Sequence, residues 1–450
     1  MSNVLDLTDQ TLFLSERATS TTNVLQCIWV YNRAVDIGGL RRFHHHLGRG
    51  RLCRRIERSV LPFGRHRWVS PSDHSDLEIA ATPRPRSEID DWCNDQALTR
   101  PDAEHGPGWR LALLPLTDGG AVVSLVVTHC LTDGVGLCQA LADAAAGRDD
   151  AISWPAAASR RRWRALREDA RQTVCDTADI GRAFVAAARL LRSDRAGARP
   201  AAAVSKKLIV EPDACITLPL TTIFVDAEQW DARAHSLGGT SNALLAGFAA
   251  RLARRVGRVA ADGSVTVGML VNERTPVDTR ANAVANVDVD VDPAPVTTDL
   301  REIRAAIKQA LVRYREVPDE RWALLPLVPL VPKRLFKRML GVATGSATTV
   351  VSSNLGAISP EANRPDGTDA DHFALKSLYP GVTNATMHRT NGALVLVSGR
   401  ARGQVFVSIL AYELDRSNSN ELLQQNISRV LSEFSLTATT GWQTAVSASA

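Results

Sequence analysis

The feature that most constrains the fold is the segment VVSLVVTHCLTDGVGLCQA, residues 122–140. Its first six residues hold five large apolar side chains, which is typical of a buried strand. The triplet Thr132-Asp133-Gly134 consists of residue types that are typical of a turn, and the apolar residues after it recur at helical spacing. The segment therefore predicts a strand, a tight turn and a helix, with His129 presented at the end of the strand.

His129 and Asp133 place an imidazole and a carboxylate in one turn. A neutral histidine at a cleft can take the proton of a hydroxyl or amine that attacks a carbonyl, a role typically worth about 10²–10⁴ in rate. Asp133 could orient that imidazole or pair with an arginine, and Gly134 would leave room for a substrate. The residues alone also allow a plainer interpretation, in which His129 merely ends a strand and Asp133 caps a helix.

The hexapeptide HCLTDG resembles the H-x-x-x-D-G signature of acyl-CoA-dependent acyltransferases related to chloramphenicol acetyltransferase and to peptide-synthetase condensation domains. Within that superfamily the chain looks most like the bacterial wax ester synthase/diacylglycerol acyltransferase family. The resemblance implies that His129 is the general base and that Asp133 is mainly structural, salt-bridged to an arginine of a second lobe. Many relatives carry two histidines at the start of the motif. Thr128 stands at the first position here, so no role is carried over to it.

The resemblance implies an α/β fold of two lobes, similar to chloramphenicol acetyltransferase. Each lobe would hold a mixed β-sheet flanked by helices, with the active-site channel between the lobes. We expect the N-terminal lobe, with the motif and the crossover helices, in residues 1–200. The C-terminal lobe would follow in residues 201–437, and residues 438–450 would form a disordered tail.

Arg274 follows a predicted strand, residues 265–271, where family members place an arginine. It is our candidate partner for Asp133, because a carboxylate–guanidinium pair between the lobes would hold the catalytic turn in place. Glu273 is adjacent in the sequence and could compete for the same guanidinium.

Asn242, Ser353 and Asn354 are candidate ligands for the substrate or for an oxyanion. The family has a T-x-N-D motif at a helix start, and this chain has Ala243 in place of the aspartate, so an acid role there is absent. Ser353 and Asn354 resemble the family's S-N-x-x-G strand end. A donor there could stabilise a tetrahedral intermediate, an effect often worth about 2.7–4 kcal/mol. Without the resemblance, these residues read as a helix start and a strand-end turn.

Composition argues against several other classes of protein. The net charge of +5 is too small for 450 residues to indicate nucleic-acid binding. Seven scattered cysteines without C-x-x-C spacing favour reduced thiols and a cytoplasmic location. We find no signal peptide and no apolar run of the roughly 18 residues that span a membrane.

We expect no metal site. The histidine triplet at residues 44–46 lies in a predicted helix, where adjacent side chains diverge by about 100° and cannot converge on one ion. The alternating aspartates of residues 286–292 lie on a predicted strand and lack the glycine and glutamate of an EF-hand.

Two stretches leave contact with a membrane or lipid-body surface open. Residues 159–192 are arginine-rich and amphipathic, although we favour a crossover between the lobes for them. Residues 321–341 are strongly apolar, and three prolines forbid a continuous helix. This second stretch could line an acyl channel, contact a membrane or simply pack.

These features together predict an O-acyltransferase that moves an acyl group from acyl-CoA to a hydroxyl acceptor, as in wax ester or triacylglycerol synthesis. Coenzyme A thioester is its substrate, and no bound cofactor is expected. The acceptor attacks the thioester directly, since no cysteine or serine is placed as a nucleophile. Two alternatives stay open: a condensation-type enzyme with a carrier-protein-bound donor or an amine acceptor, and a non-catalytic binding module with the same fold.

Overall fold

The structure, a computed structural model, describes residues 2–19, 21–71, 75–148, 153–196, 214–275, 278–316, 322–332 and 349–442. The α-helices of these ranges are α1 (Leu7–Thr19), α2 (Ile37–Leu47), α3 (Ile89–Ala97), α4 (Gly134–Ala145), α5 (Arg162–Cys175), α6 (Thr177–Ala196), α7 (Ala227–Ser236), α8 (Ser241–Arg255), α9 (Arg301–Glu316), α10 (Asn384–Thr390) and α11 (Asn420–Glu433). The strands are β1 (Val24–Tyr31), β2 (Arg55–Glu57), β3 (Arg67–Val69), β4 (Leu77–Ile79), β5 (Trp109–Pro115), β6 (Ala121–Thr128), β7 (Leu220–Asp226), β8 (Val265–Asn272), β9 (Val284–Val291), β10 (Val350–Ala357), β11 (His372–Leu378), β12 (Ala393–Ala401), β13 (Gln404–Tyr412) and β14 (Thr439–Thr440).

The first lobe is built on a five-stranded sheet in the order β11-β1-β6-β5-β4. Its central strand β6 is the strand of the motif segment, and it runs antiparallel to both β1 and β5. All eight residues of β6 are buried, because apolar side chains fill both faces of the sheet. β4 runs parallel to β5, so the sheet is mixed.

The second lobe is built on a seven-stranded sheet in the order β14-β7-β13-β12-β10-β8-β9. β10 is parallel to β8 and β12, whereas the remaining pairs are antiparallel. The apolar helix α8 packs on β8 and β10, and α7, α9 and α11 pack around α8. The predicted fold class, α/β with two mixed sheets flanked by helices, is confirmed.

Strand β10 lies between two hydrophobic cores. Val350 belongs to the core that contains α8, whereas Val351 and Leu355 pack against the core of the first lobe. Successive side chains of a strand point to opposite faces. Ser353 therefore shares the face of Val351 that is turned toward the first lobe, and Asn354 is turned toward α8.

The second half of the sequence completes the first sheet. β11 pairs with the edge of β1 in an antiparallel ladder that runs from Val24 opposite Leu378 to Val30 opposite His372. β11 also packs against β12 and β13 of the second sheet. The chain therefore crosses from the second sheet into the first and back again, and these crossings join the lobes in addition to side-chain contacts.

The C-terminal segment is ordered further than the sequence predicts. Thr439–Thr440 pair with β7. Trp442 is buried, and its indole Nε1 donates to Asp90 at 3.0 Å. The expectation of disorder from residue 438 is wrong as far as Trp442, because burial of this indole fixes the chain. Residues 443–450 lie outside the described residues.

The two stretches considered for membrane contact differ in what the structure describes. Residues 159–192 form most of α5 and α6, the predicted helices. Of residues 321–341 the structure describes 322–332, where Trp322–Leu330 form 3₁₀ turns against α6 and α1. Within the described ranges, no helix has the length and apolarity to cross a membrane.

Candidate active site

The motif turn, residues 129–134, connects the end of β6 to the start of α4. β6 ends at Thr128, and the backbone N–H of His129 donates to the carbonyl of Asn23 at 2.8 Å. Asp133 is the N-cap of α4, as its type and position lead one to expect. The imidazole of His129 is thus carried by a half-buried residue at the rim of a rigid sheet.

Asp133 binds three groups with its two carboxylate oxygens. Oδ1 accepts from the N–H of Gly136 at 2.6 Å. Oδ2 accepts from the N–H of Ala283 at 2.7 Å and from Nη2 of Arg274 at 2.6 Å. Both side chains of the Asp133–Arg274 pair are only 2% exposed. The pair thus joins the motif turn of the first lobe to the end of the second-lobe strand β8.

Arg274 is oriented by the loop that precedes β9. Nη1 donates to the carbonyl of Arg280 at 3.0 Å, and Nη2 donates to the carbonyl of Ala281 at 2.8 Å. Glu273 turns elsewhere, because its carboxylate lies 3.5 Å from the Arg280 side chain. Glu273 therefore does not compete with Asp133 for the guanidinium of Arg274, although the sequence allowed either pairing.

Two residues that sequence reasoning missed hold the motif turn from the same loop and from α1. Asp9 is fully buried, and its carboxylate accepts from the N–H of Ala281 at 2.9 Å. It also accepts from the N–H and the side-chain amide of Asn282 at 2.8 and 3.0 Å. The same amide of Asn282 donates to the carbonyl of His129 at 3.1 Å. A chain of hydrogen bonds therefore fixes the backbone of His129.

Arg54 is a third missed residue. It donates to the carbonyls of Leu131 and Thr279 at 2.5 and 2.7 Å, and its guanidinium lies 4.4 Å from the ring centre of Trp68. Burial lowers the pKa of Arg54 to about 10 and raises the pKa of Asp9 to about 6, and the attraction between them opposes both shifts. These positions carry no local pattern, so only tertiary structure identifies them.

His129 is held in the state that a general base requires. Burial lowers its pKa, and the Asp133 carboxylate opposes that shift without reversing it. Its Nδ1 is buried and has no hydrogen-bond partner among the described residues. The imidazole is therefore neutral at pH 7 and can accept a proton.

The three candidate oxyanion ligands do not share one environment. The side-chain amide of Asn354 donates to the side-chain oxygen of Asn242, and the oxygen of Asn354 accepts from the N–H of Gly356 at 2.9 Å. These two asparagines therefore bind each other on the α8 side of β10. Ser353 alone among the three faces the first lobe.

Gly134 allows a close approach between the lobes. A Cβ atom added there would lie 2.7 Å from Cδ2 of Leu355. The sequence predicted space for a substrate at this glycine, and the side chain that takes up the space is that of Leu355 from β10.

A cavity of about 340 Å³ lies between the lobes, and two of its lining residues, Asn23 and Glu16, contact residues of the motif turn. Asn23 lines one end, and its carbonyl receives the N–H of His129. Glu16 lines the same end and accepts from the N–H of Asn23 at 3.0 Å. Burial raises the pKa of Glu16 to about 7. The opposite wall holds apolar side chains of β10 and β12, including Val351 and Val395.

Among the described residues, neither a metal-binding cluster nor the cysteine of the motif turn adds a reactive centre to this site. No group of three or more His, Cys, Asp or Glu side chains that could hold a metal occurs in the described ranges. Cys130 follows His129 but is buried, and burial raises the pKa of its thiol well above the usual value. Cys130 therefore stays protonated.

The architecture matches that of solved structures along nearly the whole chain. The first condensation domain of the CDA (calcium-dependent antibiotic) synthetase superposes with a TM-score of 0.56 at 14% identity, covering 98% of this chain and 99% of that chain. The wax ester synthase/diacylglycerol acyltransferase from Marinobacter aquaeolei VT8 gives 0.55 at 15% identity, covering 96% and 98%. Polyketide synthase associated protein 5 from Mycobacterium tuberculosis gives 0.53 at 15% identity, covering 93% and 96%.

The chain has the condensation-domain fold. At these identities the likeness concerns the fold alone. No family model matches the chain, and no curated protein matches it.

Proposed function

We propose that this condensation-like protein transfers an acyl group from a coenzyme A thioester to a hydroxyl acceptor, with His129 as general base. The observation that carries the proposal is the neutral imidazole of His129 at the end of β6, on a residue whose backbone N–H donates to Asn23, which lines the cavity between the lobes. The wax ester synthase with this fold supports the reaction class. A starter condensation domain of the same fold, solved with C8-CoA, supports the thioester donor.

The acceptor hydroxyl would give its proton to His129 while its oxygen attacks the thioester carbonyl. The carbonyl oxygen then becomes an oxyanion, and the hydroxyl of Ser353 would donate a hydrogen bond to it. Collapse of the intermediate breaks the carbon–sulfur bond, and the imidazolium returns the proton to the departing thiolate. The products are an ester and free coenzyme A thiol, without an acyl-enzyme.

Asp133 and Arg274 act as positioning residues in this proposal. Neither needs to touch the substrate, because their ion pair and the N-cap fix the turn that carries His129. Such support is what keeps a base within the tolerance that proton transfer requires.

The test is acceptor-dependent release of free thiol from acyl-CoAs of short, medium and long chain. Fatty alcohol, glyceride, small alcohol and amine acceptors are each supplied to wild type, to His129→Ala and to His105→Ala. His105 is a matched control because its side chain is 71% exposed. We expect His129→Ala to lower the rate about 10²–10⁴-fold and His105→Ala to leave the rate unchanged. Equal rates for all three proteins would refute His129 as the base.

Ser353 and Asn354 offer a second matched pair, since they are neighbours on opposite faces of β10. Ser353→Ala should lower kcat by about 10²–10³ if its hydroxyl stabilises the oxyanion. Asn354→Ala should leave kcat within a few-fold, because its amide is bonded to Asn242. A larger loss in Asn354→Ala than in Ser353→Ala would reverse the assignment.

A condensation reaction with a carrier-bound donor is the second candidate, favoured by the condensation domains that superpose with TM-scores of 0.56 to 0.58. The acyl donor decides between the two. Turnover with free acyl-CoA supports the first candidate, whereas turnover only after the acyl group is loaded on a carrier protein supports the second. Absence of turnover with either donor, in a folded protein, would favour a non-catalytic binding module.

A further inference from the structure

The cavity between the lobes contains a buried cation that pairs with no carboxylate of the described residues. Arg258 lines this cavity and is only 8% exposed. Nη1 donates to the carbonyl of Asn391 at 2.6 Å, and Nη2 donates to the carbonyl of Thr349 at 3.1 Å. Its Nε is buried without a hydrogen-bond partner among the described residues.

The surroundings of Arg258 differ from those of the other buried arginines of the site. Arg274 is paired with Asp133, and the buried Arg54 is attracted by Asp9. No carboxylate of the described residues pairs with Arg258, and burial lowers its pKa. A buried charge without an opposite charge is costly, so a ligand anion placed there would be strongly favoured.

Arg258 stands at the end of the cavity remote from the motif turn. It binds the backbone at Thr349, just before β10 begins, whereas Leu355 near the other end of β10 contacts Gly134 of the turn. At the rise of a strand, about 3.3 Å per residue, these two positions are about 20 Å apart. An elongated molecule could therefore reach from Arg258 toward His129.

The groups along the cavity favour one orientation of such a molecule. Arg389 also lines the cavity, two residues before Asn391, whose carbonyl accepts from Arg258, and it adds a second cation. Apolar side chains, Leu12 and Val351 among them, also line the cavity, and Glu16 lines it beside Asn23, which contacts His129. Arg258 and Arg389 are the cations among the residues that line the cavity, so a ligand anion belongs beside them.

We propose that the substrate in this cavity carries an anionic group, a carboxylate or a phosphate, at the end remote from its reacting group, and that Arg258 with Arg389 binds it. The inference rests on the proposed acyl transfer and names the class of its substrate. The anion has two sources, a carboxylate on the acyl acceptor or a phosphate of coenzyme A. The largely apolar lining favours an acidic acceptor with a hydrocarbon body, such as a long-chain hydroxy acid.

The test is equilibrium binding by calorimetry, which does not depend on turnover. The probes are 10-hydroxydecanoate, its uncharged analogue 1,10-decanediol, and coenzyme A. The proteins are wild type, Arg258→Gln, Arg258→Lys and the control Arg254→Gln, an exposed arginine of the last turn of α8.

We expect wild type to bind the hydroxy acid more tightly than the diol. Arg258→Gln should weaken binding of the hydroxy acid about 10- to 100-fold, because charge-assisted hydrogen bonds are stronger than neutral ones. The affinity for the diol should change by no more than about twofold. Arg258→Lys keeps the cation and should keep part of the preference, and Arg254→Gln should change nothing. A loss confined to coenzyme A would uphold the anion site and identify a phosphate as its anion.

Equal affinity of wild type for acid and diol, together with unchanged coenzyme A binding in Arg258→Gln, would overturn the inference. Circular dichroism of each variant excludes loss of fold, and Arg258→Lys preserves the test if Arg258→Gln does not fold. Failure of the acyl-transfer proposal is separable: binding that depends on Arg258 without thiol release in any assay would refute the reaction and uphold the site.

Discussion

Removing the guanidinium of Arg274 should destabilise the protein by about 3 kcal/mol. Breaking a buried ion pair by deleting one partner ordinarily costs about 3–5 kcal/mol, because a buried charge is left unpaired. After Arg274→Met the carboxylate of Asp133 still accepts from the N–H groups of Gly136 and Ala283. Those two donors and the helix N-terminus place the expected loss at the lower end of the range.

Urea unfolding measures this loss, and Arg280→Met is the matched control. Arg280 lies six residues away, and its side chain is 34% exposed in its contacts with Glu273 and Asp278. Exposed pairs contribute about 0–1 kcal/mol, so the control should lose no more than that. If Arg274→Met loses no more free energy of unfolding than Arg280→Met, the ion pair does not anchor the motif turn.

The double variant D133N/R274M measures the interaction energy between the two side chains. Asparagine keeps the N-cap but presents an amide N–H to a guanidinium and to a backbone N–H, so Asp133→Asn alone should also be destabilised. The double variant removes the unpaired guanidinium as well. Its loss should be smaller than the sum of the single losses by at least about 1 kcal/mol. Strict additivity would contradict a direct interaction.

Three further expectations follow from buried groups elsewhere. The pKa of Asp9 is raised from 3.8 to about 6 in the folded protein, so its contribution to stability is complete below pH 3.8 and is lost as the pH rises through 6. The free energy of unfolding of Asp9→Asn should therefore rise relative to that of wild type by up to about 3 kcal/mol between about pH 4 and pH 7. Urea titrations measure this change, and a pH-independent difference between the two proteins would exclude the linkage. Gly134→Ala should lower the free energy of unfolding by about 1–2 kcal/mol through contact with Leu355, and Leu355→Val should restore part of it; no recovery in the double variant would rule out this contact as the cause. A thiol reagent should label the exposed Cys175 and Cys215 in the native state, whereas labelling of Cys27, Cys93, Cys130 and Cys138 at comparable rates would show that the cores are not closed.

Local patterns in the sequence were sufficient to predict the elements that carry His129. The valine run, the turn triplet and the apolar helix spacing predicted β6, the motif turn and α4, because each signal lies within a few residues of the element it specifies. The Asp133–Arg274 contact was within reach only through the family resemblance, since 141 residues separate the two.

The remaining supports of the site depend on long-range packing. Asp9 looks like an ordinary polar residue of an N-terminal helix, and Arg54 looks like part of a solvated basic run. Both are buried because α1 and the loop before β9 meet behind the motif turn. The separation of Ser353 from Asn354 likewise depends on which core covers each face of β10, which the strand's own residues do not state.

The ladder between β11 and β1 limits how a substrate can come and go. The ladder of seven residue pairs holds β11 in the first sheet, so a clamshell motion that swings the two sheets apart would have to break the packing of β11 on β12 and β13. We therefore expect a long substrate to enter and leave end-first, without separation of the two sheets. Whichever end enters first is then also the end that reaches deepest, so the order of chemical groups along a chain becomes a criterion for selection.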